Sequence, residues 1–311
     1  MDKIAFLFPG QGAQFVGMGQ EIYDTYQVAR DFFDQAAGEL DFDLKGVVFD
    51  GPERKLSQTE YTQPALVAVE VMLLKALAEA GIKPDVVAGL SLGEYTALVA
   101  GRAIDEVEAV KLVSRRGNLM ASALPIGTTT MAAVLGMEAG ELEAVCKEAG
   151  RMGVVEIANY NYPGQLVIGG EIEAVKEASE LAIAKGARKV IPLNVSGAFH
   201  TSLLKEAGVT LRRELEKVTF NPLEVPVIFN LTADYQNEPI IDLLEAQMSS
   251  AVRFQETIEL MIKDGVNTFV EVGPGKTLSG FVKKIDRKLK IYQVEDVAGI
   301  ERLMEELGGS K

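Results

Sequence analysis

The sequence predicts an α/β fold with a smaller inserted domain, on three observations. Short apolar strands alternate with helical segments up to residue 123, the pattern of a parallel sheet covered by helices. The rhythm changes after LPIGTTT at 124–130, where the next segments follow the order β-α-β-β-α-β of a ferredoxin-like unit. Larger units resume after Asn194.

The elements follow in order. Residues 4–8 (IAFLF) read as a strand broken by Pro9-Gly10, and a helix is expected over 23–40. A long helix begins at 62–64, with Thr62 as cap and Pro64 in the first turn, and stops at Gly81. Residues 86–90 read as a short buried strand, 92–101 and 105–123 as helices. In the insert, 131–135 reads as strand and 138–149 as helix. Residues 154–159 and 166–169 read as strands paired across Tyr162-Pro163-Gly164-Gln165, 172–185 as helix and 188–193 as strand. A helix follows His200, another covers 255–263, and 268–272 is a strand ending in Gly273-Pro274-Gly275. A further helix and a strand at 291–294 follow. The domains are therefore 1–126 with 194–311, a large α/β unit, and 127–193, the insert. The cleft between them is the expected place for a site.

Bulk properties narrow the function. The 311 residues carry a formal charge of −14, which disfavours nucleic acid and anionic membrane as partners. The N-terminal MDKIAFLFPG is too short in its apolar run for a secretory leader, and the apolar stretch 64–81 is interrupted by Glu70, Lys75 and Glu79, so no membrane span is expected. A single cysteine, Cys146, excludes an internal disulfide and reads as a structural thiol in a helix. The expected compartment is the cytoplasm. One cysteine and one histidine leave no metal-ligand cluster to propose.

Gly89-Leu90-Ser91-Leu92-Gly93 fits G-x-S-x-G, a pattern that is weak alone. Its place between a strand and a helix is what a nucleophile elbow requires: a sharp turn exposing the serine Oγ, flanked by glycines that admit close backbone. The Leu92 amide at the helix start can donate to an oxyanion. The plainer alternative is a serine N-cap on an ordinary helix. A serine hydroxyl needs a base, and His200 is the only imidazole in the chain. A lone histidine is more often structural; paired with an elbow it becomes the leading candidate. No acidic residue stands out as the third partner, and a carbonyl could hold the imidazole tautomer instead.

FPGQGAQ at 8–14, GLSLGEY at 89–95, GAFH at 197–200 and EVGPGKTL at 271–278 together resemble the malonyl-CoA:acyl carrier protein transacylase family, which includes the acyltransferase domains of fatty-acid and polyketide synthases. The resemblance runs from Ile4 to about Val294 and implies a hydrolase-like α/β domain with a ferredoxin-like insert. It implies that Ser91 is acylated, that His200 is the base, and that the amides of Gln11 and Leu92 form the oxyanion hole. Gln247, in EAQMSSAVRF, matches the residue whose main-chain carbonyl orients the histidine. Arg116 matches the arginine that grips the malonyl carboxylate, a planar fork suited to that group, while Arg115 beside it reads as a surface arginine. Phe199 resembles the malonyl-selective form of its motif. Gln165 and Lys189 hold family positions near the coenzyme A phosphate or the pantetheine arm. Leu90 departs from the family, many members having histidine there; the base is unaffected.

The resemblance implies malonyl-CoA and coenzyme A as substrate and product, acyl carrier protein as partner, no permanently bound cofactor, and a monomer. Two other readings stand beside it: a thioesterase-like hydrolase with the same elbow, and a non-catalytic carrier-binding module. Gly275-Lys276-Thr277 is not a P-loop, because Val270 stands where the first glycine belongs, and Gly10-x-Gly12 is not a dinucleotide fingerprint, because Phe15 stands at its sixth position. Lys283, Lys284, Arg287, Lys288 and Lys290 form a basic run, read either as a solvated face or as a dock for an acidic carrier.

Overall fold

The computed structural model describes residues 2–193, 195 and 197–308, so Asn194 and Ser196, where the insert rejoins the large unit, lie outside the described residues. Among the described residues, ten strands form two sheets. They are β1 (Ile4–Phe8), β2 (Val86–Gly89), β3 (Thr129–Leu135), β4 (Val155–Tyr162), β5 (Gln165–Glu171), β6 (Lys189–Pro192), β7 (Val227–Phe229), β8 (Asp234–Tyr235), β9 (Thr268–Val272) and β10 (Lys290–Val294).

The larger sheet has the order β10-β9-β1-β2-β7-β8 and is parallel except for β8. Its central strands are apolar on both faces, with Ala5 to Phe8 and Val86 to Gly89 all buried, as a sheet covered on both sides demands. The helix Thr59–Glu79 is the apolar centre of one layer. It is long and apolar enough to cross a membrane by length and composition, but most of it is buried inside the fold. The smaller sheet, β4-β5-β3-β6, is antiparallel, with the helices Ala139–Ala149 and Ile172–Ala184 packed on its own apolar cluster. Taken in chain order this is the ferredoxin-like arrangement.

β4 is also tied to the large unit. Val252 donates its N–H to the Ala158 carbonyl at 2.9 Å and accepts from Tyr160 at 2.8 Å. The Tyr162 and Phe281 rings meet at 5.4 Å. The insert is therefore tied to the large unit along β4 by backbone bonds and a ring contact.

Several elements differ from expectation. The helix expected over 23–40 is two, Gln20–Thr25 and Gln27–Gly38, separated by an extended Tyr26 whose carbonyl accepts the first amides of the second helix. The long helix starts at Thr59 rather than Thr62. The Thr62 hydroxyl donates back to the Leu56 carbonyl instead of capping, and Pro64 lies inside the helix. The insert's hairpin is tighter than expected, with Pro163-Gly164 alone between β4 and β5 and Gly164 at φ +83°. Irregular register in β4 absorbs the extra length.

EVGPGKTL is a buttress. The Glu271 carboxylate accepts the Leu278 and Ser279 amides at 3.0 and 2.7 Å, capping the helix Thr277–Ile285. Gly273, at φ +149°, lets that loop lie against Pro9; a Cβ there would come within 2.6 Å of the proline ring. Cys146 is buried, and burial with nearby Glu156 pushes its thiol up to about 12, so it stays protonated.

Candidate active site

The elbow is built where β1 and β2 end side by side. Phe8 and Gly89 are register partners, and the Leu90 amide donates to the Phe8 carbonyl at 2.9 Å. Backbone then meets backbone. A Cβ on Gly89 would overlap the Gly93 main chain, a Cβ on Gly93 would overlap the Phe8 carbonyl, and one on Gly10 would sit 2.5 Å from the Leu90 oxygen. Only glycine fits these three positions. Between them Ser91 takes φ +53°, a left-handed conformation that costs a serine on the order of 1 kcal/mol or more and aims its side chain out of the turn.

His200 is the second non-glycine residue of the site in that region, at φ +59°. Its Nε2 lies 2.6 Å from Ser91 Oγ and its Nδ1 lies 2.8 Å from the Gln247 carbonyl oxygen. A carbonyl only accepts, so Nδ1 carries the hydrogen and the Nε2 lone pair faces the serine hydroxyl. Burial, and then the Arg116 cation, hold the imidazole down to about 4, so it is neutral and able to accept a proton at pH 7.

Arg116 reaches the same point from the helix Glu106–Ser122. It is fully buried, with Nη2 3.4 Å from Ser91 Oγ. Its hydrogen-bond acceptors are neutral: Gln63 Oε1 at 2.9 Å and Gln247 Oε1 at 3.1 Å. Its Nε has no acceptor among the described residues, and the guanidinium carbon sits 5.3 Å from the Tyr95 ring centroid. The nearby buried carboxyl of Glu94 is pushed up to about 8 by burial, so it is mostly protonated at neutral pH. A buried cation with neutral partners is a place for an anion.

The Gln11 and Leu92 amides follow the paired ends of β1 and β2 and donate to no group among the described residues. The Gln11 side chain is anchored on Thr59 Oγ1 at 3.1 Å. Phe199, next to His200, is buried in the main core.

Residues 5–304 match the family model described as an acyl transferase domain. The chain belongs to the acyltransferase family. A Bacillus subtilis protein named malonyl CoA-acyl carrier protein transacylase is 46% identical over 99% of this chain and 98% of its own length. The crystal structure of the Clostridium perfringens protein of that name superposes with a TM-score of 0.96 at 41% identity, covering 99% of this chain and 98% of its own. A second solved structure, a malonyl-transacylase in complex with its type II PKS acyl-carrier protein, has a TM-score of 0.95 at 37% identity over 98% of this chain and 99% of its own.

Not every expected residue of this acyltransferase meets the elbow. Gln165 and Lys189 both flank Leu135, at the far end of β3 from Thr129. Thr129 lies beside the histidine loop, its hydroxyl accepting the Ala198 amide at 3.3 Å. Six residue steps along the strand separate the two ends, roughly 20 Å. Gln165 accepts from Asn161 at 3.3 Å, and Lys189 is exposed. Two residues and one side chain at the centre were not legible. Gln63 and Asn230 belong to no motif, and the Gln247 side chain, not only its carbonyl, takes part: its Nε2 donates to the Ser91 carbonyl at 3.1 Å while its Oε1 holds Arg116. The helix that delivers Gln247, Ile240–Gln247, is itself short and lacks a strong start signal.

His200 yields a pH prediction. Its folded value is depressed, so the neutral base persists as pH falls and is lost only near 4. The kcat/KM of the enzyme should stay flat from about pH 7 to about pH 5. An acid limb centred at the ordinary imidazole value of about 6.5 would contradict the burial argument.

Proposed function

We propose that this acyltransferase moves a malonyl group from malonyl-CoA to the phosphopantetheine thiol of acyl carrier protein, by a ping-pong route through an ester on Ser91. The observation that carries the substrate class is Arg116: a buried cation 3.4 Å from the serine oxygen, held by neutral amides, with one donor unpartnered among the described residues. An acyl chain ending in a carboxylate supplies the missing charge; an acetyl group leaves it unmet. The names of the full-length relatives support the same donor and acceptor.

Malonyl-CoA enters with its free carboxylate on Arg116. Ser91 Oγ attacks the thioester carbonyl as its proton passes to His200 Nε2. The negative oxygen that forms is met by the Gln11 and Leu92 amides, each worth about 3 kcal/mol by analogy with other oxyanion holes. The carbon–sulfur bond then breaks, His200 returns the proton to the departing sulfur, and coenzyme A leaves. The carrier thiol gives its proton to His200, attacks the Ser91 ester, and the steps reverse. The Gln247 carbonyl keeps the imidazole in the required tautomer throughout. No bound cofactor is needed.

The remaining roles follow from this reading. Residues 127–193 form the inserted domain that roofs the site. Phe199 narrows the acyl pocket, and Gln165 and Lys189 guide the coenzyme A or carrier arm along the insert. Lys283, Lys284, Arg287 and Lys288 are exposed and form no ion pair among the described residues, which supports a dock for an acidic carrier; Lys290 is instead paired with Asp2 at 2.6 Å. The enzyme acts as a cytoplasmic monomer.

Purified protein incubated with malonyl-CoA should load holo acyl carrier protein and release little free malonate. Rapid malonate release at the same rate with and without carrier would assign a hydrolase instead. In the same assay Arg116→Ala should lower kcat/KM for malonyl-CoA by on the order of 10²-fold while lowering acetyl-CoA turnover far less. Equal losses for both donors would remove Arg116 from the carboxylate site.

A further inference from the structure

Asn230 and Glu94 have no part in the proton transfers above, yet both are fully buried beside the nucleophile. Asn230 follows β7 directly. Because Ala88 pairs with Ile228 in parallel register, Asn230 comes level with the turn that carries Ser91. All four of its polar groups are engaged. Its Oδ1 accepts the Ser91 amide at 2.6 Å, and its Nδ2 donates to the Gly89 carbonyl at 2.7 Å. Its own amide donates to Glu94 Oε2 at 2.5 Å, and its carbonyl accepts the Arg253 amide at 3.1 Å.

The two side-chain bonds straddle the elbow. One grips the carbonyl that ends β2, the other the amide of the strained serine. Ser91 N–H points into the interior and cannot be solvated there, so without Asn230 the turn would carry an orphaned donor as well as its backbone strain. Glu94 lies one helical turn beyond the serine and fixes Asn230 from behind, which closes a ring of bonds from Gly89 through Asn230 to Glu94.

We propose that Asn230, seated by Glu94, is a positioning residue that clamps the Ser91 elbow in its left-handed conformation and so sets the aim of Oγ and of the Leu92 amide. The inference rests on Ser91 being the nucleophile. Glu94 acts here as a hydrogen-bond acceptor and needs no charge, in keeping with a carboxyl that burial holds protonated at neutral pH.

The test is single-turnover release of coenzyme A from malonyl-CoA with enzyme in excess, by rapid quench, in the intact protein. Asn230→Ala should slow the chemical step by on the order of 10²-fold, the effect of a small misplacement of reacting groups, with the malonyl-CoA concentration giving half-maximal rate little changed because Arg116 is untouched. Glu94→Leu should slow the same step, and Glu94→Gln, which keeps the acceptor and lacks the charge, should recover most of the loss. Thermal unfolding of each variant separates a fold defect from a site defect: a merely structural role would lower the melting temperature and leave the rate at low temperature unchanged. A folded Asn230→Ala releasing coenzyme A at the wild-type rate overturns the clamp, as does a Glu94→Gln as slow as Glu94→Leu. If Asn230→Ala does not fold, the Glu94 pair decides alone. Wild-type protein run alongside keeps the two claims apart: no release from it, or equal release from Ser91→Ala, would undo the nucleophile reading, not the clamp alone.

Discussion

The close approach of two chain segments, 8–10 and 89–93, is the constraint from which the rest of the site follows. Their backbones lie too near for any side chain at Gly10, Gly89 or Gly93, and they do so because β1 and β2 are adjacent parallel strands ending at the same level. Gln11 directly follows one of these segments and Leu92 lies in the other. The contact leaves the chain no room to continue as a relaxed strand, so Ser91 turns through a left-handed conformation and its oxygen faces outward. The loop of EVGPGKTL presses on Pro9 from the other side through Gly273, which makes that distant motif part of the same packing problem.

Burial then sets the charges. It pushes His200 down and Glu94 up, leaving both neutral at pH 7, while the guanidinium of Arg116 stays charged. Protonating buried His200 costs about 3 kcal/mol more than protonating an imidazole in water, by the value of a pKa unit. Part of that cost comes from repulsion by Arg116. In the mechanism proposed above, a substrate carboxylate on Arg116 would cancel that repulsion, and the developing oxyanion would attract the imidazolium. On the proposed mechanism the right substrate would therefore make His200 a better base at the moment it must act, and would favour a malonyl over an acetyl donor in the chemical step as well as in binding.

What could be read from the sequence was local or counted. The elbow is five residues whose strand-to-helix context is visible in the flanking pattern, and His200 stands out because there is no other imidazole. The insert's strand order was legible because its alternation of periods is clear. Asn230 and Gln63 were not, because their contacts span 139 and 53 residues and arise only when β7 lies against β2 and two helices cross. Gln247 was named through family resemblance, for its carbonyl; the bonds its side chain makes to Arg116 and Ser91 have no signature in one dimension. The break at Tyr26 and the early start at Thr59 were missed for a different reason. Helix boundaries depend on single caps, and here tertiary packing overrode the apparent Thr62 cap.

The account stands or falls on one covalent bond. Intact mass followed by peptide mapping after brief exposure to malonyl-CoA should find one malonyl group per chain, on Ser91, and none on Ser91→Ala. An unmodified protein that still transfers malonyl to the carrier, or an adduct on any other residue, would contradict it.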